Sequence, residues 1–197
     1  SIPIAADLSC DKAADKFVNT IKEHTKYIDI LICNIGNSSS VAPGKENYVE
    51  WKKMFDSNFY TATNVIESAK KMIRKNKGSI TCISSICGID YIQGAPITYS
   101  VAKAALNHYI KLSSRTFAKN GIRINGVAPG NILFENSVWE KKLKKNKKAV
   151  MSMLSKEVAM KRLGTIDEIS ALVTFLSSDD ANFITGTIIP VDGGQLR

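Results

Sequence analysis

No stretch of this 197-residue chain stays apolar for the 18 or more residues that a membrane-spanning helix needs. A helical membrane protein is therefore not expected. The four cysteines, Cys10, Cys33, Cys82 and Cys87, include no CxxC pair and have only two histidines for company. Zinc centres and disulfide scaffolds are not expected, and reduced, buried thiols are. Internal repeats and low-complexity linkers are missing too, and a chain of this length suits one domain that buries its own core. The visible N-terminus does not have the form of a secretory signal. That sets a cytoplasmic location as the expectation, and Asn37-Ser38-Ser39 then reads as a chance glycosylation match.

What the chain has in excess is positive charge. Its formal net charge is +9, and Lys141, Lys142, Lys144, Lys145, Lys147 and Lys148 crowd into eight positions. Such a run is either a landing site for an anionic partner or a solvated helix face or loop, and the second reading is preferred. No aromatic residue interleaves these lysines, as a platform for single strands would require. Nucleic acid is not an expected partner.

Apolar, β-branched runs alternate with longer helical segments, the pattern of an α/β fold with a parallel sheet and crossover helices. Strands are expected at 2–7, 28–36, 78–85, 122–128 and within 185–194. Helices are expected at 11–24, across 48–76, from near Tyr99 to Lys119, and from Thr165, where Glu168 three residues on has capping-box spacing. Asn120-Gly121 is a helix stop. The run at 28–36 is almost wholly apolar and should be covered on both faces. Residues 131–161 form a polar, lysine-rich excursion in which Trp139, Met151 and Met153 line either a pocket or a small core.

In an open parallel sheet, ligands bind beyond the carboxyl ends of the strands. Those exits are Asp7-Leu8, Cys33 to Gly36, Ser84-Ser85 and Ala128 to Gly130. The helix that follows Ser85 carries Tyr99 and Lys103 one turn apart, hence on one face. A free phenol has a pKa near 10, and an ammonium within about 4–6 Å lowers it toward the range of a general acid and base. Ser85 could polarise a substrate carbonyl as charge develops on it. The set suits carbonyl reduction or alcohol oxidation. Taken alone, Tyr99 and Lys103 read equally as ordinary helix residues and Ser85 as a turn cap.

The segments SIPIAADLS, DILICNIG, WKKMFDSNFYTATNVI, GSITCISSICG, YSVAKAAL, GIRINGVAPGNI and FITGTIIPVDGG resemble, in order and spacing, those of the short-chain dehydrogenase/reductase family. The resemblance runs the whole length. It implies a Rossmann-like, doubly wound single domain that uses NAD or NADP to move a hydride to or from a small-molecule carbonyl or secondary alcohol; a scaffold that keeps the fold without turnover is the alternative. Tyr99 would be the general acid/base, Lys103 would lower its pKa and bind the nicotinamide ribose, and Ser85 would orient the substrate oxygen. Asn58 would hold a relay water for Lys103. Asp7 would sit near the adenine, Asn34 and Gly36 along the cofactor, and Pro129, Gly130 and Ile132 beside the nicotinamide. Residues 131–161 would cover the substrate, and 3-oxoacyl carrier-protein reductases and sugar dehydrogenases are the most similar branches. Relatives form tetramers through the Tyr-bearing helix and the one before it, so a homo-oligomer, dimer or tetramer, is expected.

Three departures stand out. Ser85 and Tyr99 are 14 apart, one more than the usual spacing, which leaves Ser84 as the alternative serine; Phe134 replaces a frequent threonine; and Ile35 is bulkier than the family's alanine. More seriously, the family's opening strand, glycine-rich phosphate turn, helix and second strand have no counterpart here, roughly 50 residues by ordinary element and loop lengths. The strand at 2–7 would be the family's third, lying roughly 14 Å from its nearest sheet neighbour. A lone strand there cannot satisfy its backbone, so the chain is expected to be part of a longer working protein. The residue that chooses between NAD and NADP follows the absent second strand.

Overall fold

Four short apolar runs make one all-parallel sheet in the order β1 (Ile30–Cys33), β2 (Ser79–Ile83), β3 (Arg123–Pro129) and β6 (Ile188–Val191). The computed structural model describes residues 1–196. Between these strands lie the crossover elements that parallel pairing demands. They are α2 (Tyr48–Phe55), a π-helical turn at Asp56–Tyr60 and α3 (Thr61–Ala69) after β1, α4 (Ile97–Ala118) after β2, and α5 (Val138–Glu157) and α6 (Ile166–Ser177) before β6; α1 (Asp11–Lys22) precedes the sheet. A second, two-stranded parallel sheet joins β4 (Ile132–Leu133) to β5 (Gly164–Thr165) and was not foreseen from sequence.

Helices α3 and α4 cover one face of the sheet, where Ala62, Ile66, Leu106 and Ile110 close over Ile80, Cys82 and Ile124. Helix α6 covers the other face over β2 and β3, with Leu176 packed on Val127. Arg123, buried on β3, donates to the carbonyls of Leu176 and Ser178 and so caps the carboxyl end of α6. At the amino end, Thr165 and Glu168 form the reciprocal capping box that their spacing predicts. The Arg162 guanidinium, with the Thr165 amide, holds the Glu168 carboxyl down to about 2.

Two strand expectations need correction. Residues 2–7 form no strand, because no described strand lies beside them to complete a ladder. Nor is β1 covered on both faces: Leu31 and Cys33 pack against the core under α3 and α4, whereas Ile30 and Ile32 are about half exposed. Helix α6 packs mainly on β2 and β3.

The lysine-rich excursion is mostly helix. Helix α5 is broken at Asn146, whose backbone is non-helical and whose side chain caps the second half by accepting from the Ala149 amide. Trp139, Leu143, Met153 and Leu163 pack on Val150, Leu154 and Val158, and the six crowded lysines face solvent. Lys144 pairs with Glu140, and Lys142 lies over the Trp139 ring. Met151 is exposed. The cysteines also diverge from expectation. All four are free, but only Cys82 is fully buried, while Cys10 is exposed ahead of α1.

Helix α4 ends where Asn120-Gly121 predicts. Gly121 has φ +66°, and a Cβ there would stand 2.6 Å from the Asn76 Cα. Gly121→Ala is therefore expected to lower stability by about 1–3 kcal/mol, read as a lower urea midpoint with unchanged slope.

Candidate active site

The carboxyl ends of β1, β2 and β3 are neighbours, so Asn34 and Gly36, Ser85, and Pro129 with Gly130 share one rim of the sheet. Ile132 follows in β4. At the β2 exit the extended backbone of Ser85 caps a tight turn at Ile86–Gly88, its hydroxyl accepting from the Cys87 amide at 3.2 Å. Helix α4 then presents Tyr99 and Lys103 on one face, as their spacing requires. The Lys103 ammonium lies 6.0 Å from the centre of the Tyr99 ring and donates to the Ile83 carbonyl at 2.9 Å. Helix and strand are pinned together by that one bond.

The electrostatics differ from the sequence expectation. Burial, aided by the Cys87 thiol and opposed by the Ser85 hydroxyl, pushes the Tyr99 phenol up to about 12. Burial also brings the Lys103 ammonium down to about 8. Desolvation thus outweighs the ion–phenol attraction that the helix spacing suggested, because the ammonium is turned to the Ile83 carbonyl. At neutral pH the phenol is a protonated donor.

Asn58 sits fully buried in the π-helical turn, where the widened helix turns its side chain inward. Its Oδ1 accepts from the Asn37 amide at 3.0 Å, and its Nδ2 donates to the Asn37 carbonyl at 2.9 Å and the Met54 carbonyl at 3.1 Å. The side chain thereby ties the π-helical turn to the β1 exit loop. Gly36 completes this convergence: a Cβ there would stand 2.9 Å from Asn58 Oδ1 and 3.0 Å from Lys103 Nζ. Gly36→Ala should displace the ammonium and reduce kcat at least tenfold, with a stability loss of about 1–3 kcal/mol. A kinetic assay beside a urea melt checks both.

Asp7 is not brought to this cluster by any hydrogen bond. Its carboxylate accepts from the Ser9 amide and hydroxyl in the turn before α1, and that turn is tied to α3 through Asn64. Phe134 is half exposed. Sequence reasoning missed Asn107, one turn beyond Lys103 on α4: it accepts from the Ser84 hydroxyl and donates to the Gly88 carbonyl, bracing the turn that carries Ser85. Ser84 is thus committed to Asn107, which leaves Ser85 as the serine facing Tyr99. The i, i+4, i+8 series Tyr99, Lys103, Asn107 was the available signal.

A family model described as Enoyl-(Acyl carrier protein) reductase matches residues 1–195. A crystal structure of a short-chain dehydrogenase/reductase family oxidoreductase from Burkholderia thailandensis superimposes with a TM-score of 0.85 at 28% identity, over 98% of this chain and 72% of that one. The chain belongs to the short-chain dehydrogenase/reductase family. A 3-oxoacyl-(acyl-carrier-protein) reductase of Buchnera aphidicola subsp. Baizongia pistaciae is 34% identical over 201 residues, spanning 98% of this chain and 77% of the relative. The structure described as ElxO with NADP bound gives a TM-score of 0.87 at 30% identity, over 96% of this chain and 75% of that one. The doubly wound architecture of the short-chain dehydrogenase/reductase fold is therefore that of this chain.

Proposed function

We propose that this chain is the catalytic body of an NAD(P)-dependent oxidoreductase that reduces a carbonyl to a secondary alcohol, with Tyr99 as proton donor. The observation that carries the reading is the grouping of Tyr99, Ser85 and a buried Lys103 beyond the β2 exit. Ser85 would orient the substrate oxygen toward the Tyr99 phenol. Lys103 spends one donor on Ile83, and an ammonium has three; the other two are free for a ribose hydroxyl and for the proton path. The nicotinamide cofactor, when bound, supplies the hydride. The cleft suits it on a structural ground: at Gly36 only a missing side chain lets backbone come this near Asn58 and Lys103, and Asn34, Pro129, Gly130 and Ile132 would flank it.

The exposed stripe Ile97, Val101 and Leu112 on α4 supports assembly of like chains through that helix. The α5 unit, which begins eight residues after Gly130, supports a substrate-covering role for 131–161. Since the Buchnera relative is named for 3-oxoacyl substrates, a 3-oxoacyl thioester is the first substrate to try.

Fluorescence titration with NADPH and NADH, followed by reduction of a panel of 3-oxoacyl thioesters and simple ketones, tests the reading. Binding of one cofactor with consumption on at least one carbonyl is expected. Binding of neither by the full-length protein would sink it.

A further inference from the structure

Cys33 and Cys82 oppose each other across the β1–β2 ladder as Cα partners in the parallel register. Opposed positions on neighbouring strands lie about 4.8 Å apart, inside the range of about 4.4 to 6.8 Å that a disulfide bridges. Both side chains turn to the same face: Cys82 belongs to the core under α4, and Cys33 packs against that core from its rim. The neighbouring Cys33 thiol, with burial, holds the Cys82 thiol well above its ordinary range. Cys82 is wholly buried and Cys33 is partly open to solvent. Cys33 is therefore the member of the pair nearer to solvent.

Their position links them to the candidate site. Asn34 directly follows Cys33, and Ile83, whose carbonyl holds Lys103, directly follows Cys82. The Lys103 charge is felt at the Cys82 sulfur.

We propose that Cys33 and Cys82 are a modification site, a thiol pair that closes to a reversible cross-strand disulfide by exchange with a small-molecule disulfide such as oxidised glutathione. The Cys33 thiolate attacks one glutathione sulfur, the glutathione S–S bond breaks, and one glutathione thiolate leaves. Cys82 then gives up its proton as its sulfur attacks the Cys33 sulfur, the mixed disulfide breaks, and the second glutathione thiolate leaves. Two protein thiols are oxidised by two electrons, their protons pass to the two glutathione thiolates, and one glutathione disulfide is reduced. Closure draws Cys82 toward β1 and shifts the carbonyl that anchors Lys103. The loss of turnover this predicts rests on the oxidoreductase reading; the cross-link does not.

Incubation with oxidised glutathione, blocking of free thiols with iodoacetamide and peptide mapping should yield a Cys33–Cys82 linked pair that dithiothreitol removes. Cys33→Ser should abolish the pair, and Cys82→Ala should stop at a glutathione adduct on Cys33. Glutathione adducts without the linked pair in the parent protein overturn the proposal. In a parallel assay of NADPH consumption, the oxidised protein should lose turnover several-fold and recover it on reduction. A linked pair with unchanged turnover overturns the coupling to Lys103, whereas absent turnover in the reduced protein counts against the oxidoreductase reading and leaves the linked pair standing.

Discussion

A Tyr99→Phe protein is expected to keep its fold and lose about three powers of ten in kcat, the contribution of a positioned general acid. The substitution removes one oxygen and leaves the ring in its place on α4. That oxygen carries a proton that burial retains up to about pH 12, facing the Ser85 hydroxyl. Steady-state kinetics beside near-UV circular dichroism check the pair of outcomes, and turnover within tenfold of the parent would defeat the assignment. The same substitution has a pH signature. A phenol whose folded pKa is raised stabilises the fold fully below the unfolded value near 10, and that stability is lost as pH rises toward 12. Phenylalanine lacks this loss, so parent and variant should diverge in stability only above pH 10.

Lys103→Met is expected to abolish measurable turnover while leaving stability at pH 7 unchanged or raised by up to ~2 kcal/mol. Most substitutions of a residue this buried destabilise. Here the native side chain is itself a burden, because burial lowers the ammonium from 10.5 to about 8. A shift of that size corresponds to about 3 kcal/mol against the charged form, and losing the bond to the Ile83 carbonyl offsets about 1–3 kcal/mol of the relief. The sign follows from proton binding. Between pH 8 and 10.5 the unfolded chain holds this proton more tightly, so the parent gains stability as pH rises through that window. The advantage of methionine should accordingly shrink by about 2–3 kcal/mol between pH 7 and pH 10, leaving the lost hydrogen bond as the larger effect. Urea midpoints at the two pH values read this directly, and a variant destabilised equally at both would show that Lys103 is not desolvated as described.

Features set by local chemistry were legible in the chain itself. The capping box at Thr165 and Glu168, the stop at Asn120-Gly121 and the alignment of Tyr99 with Lys103 depend only on residues a few positions apart. The parallel α/β pattern was legible for the same reason, since period and composition are read one element at a time. Residues 2–7 were misread because a strand exists only when a neighbour completes its ladder. The lysine run reads as a solvated helix face or loop, and composition alone does not choose between them, since lysines say where water is and not what the backbone does.

The linear chain determined which side chains could share a helix face and where the four strands of the main sheet would fall. Only tertiary structure decided their environments: that the Tyr99 phenol rises where a neighbouring cation suggested it would fall, that Asn107 braces the Ser85 turn, and that Cys33 meets Cys82. Hydrogen bonds within a turn are set by neighbours in sequence. Desolvation and register are set by atoms that folding brings from far along the chain, and no window of residues contains them.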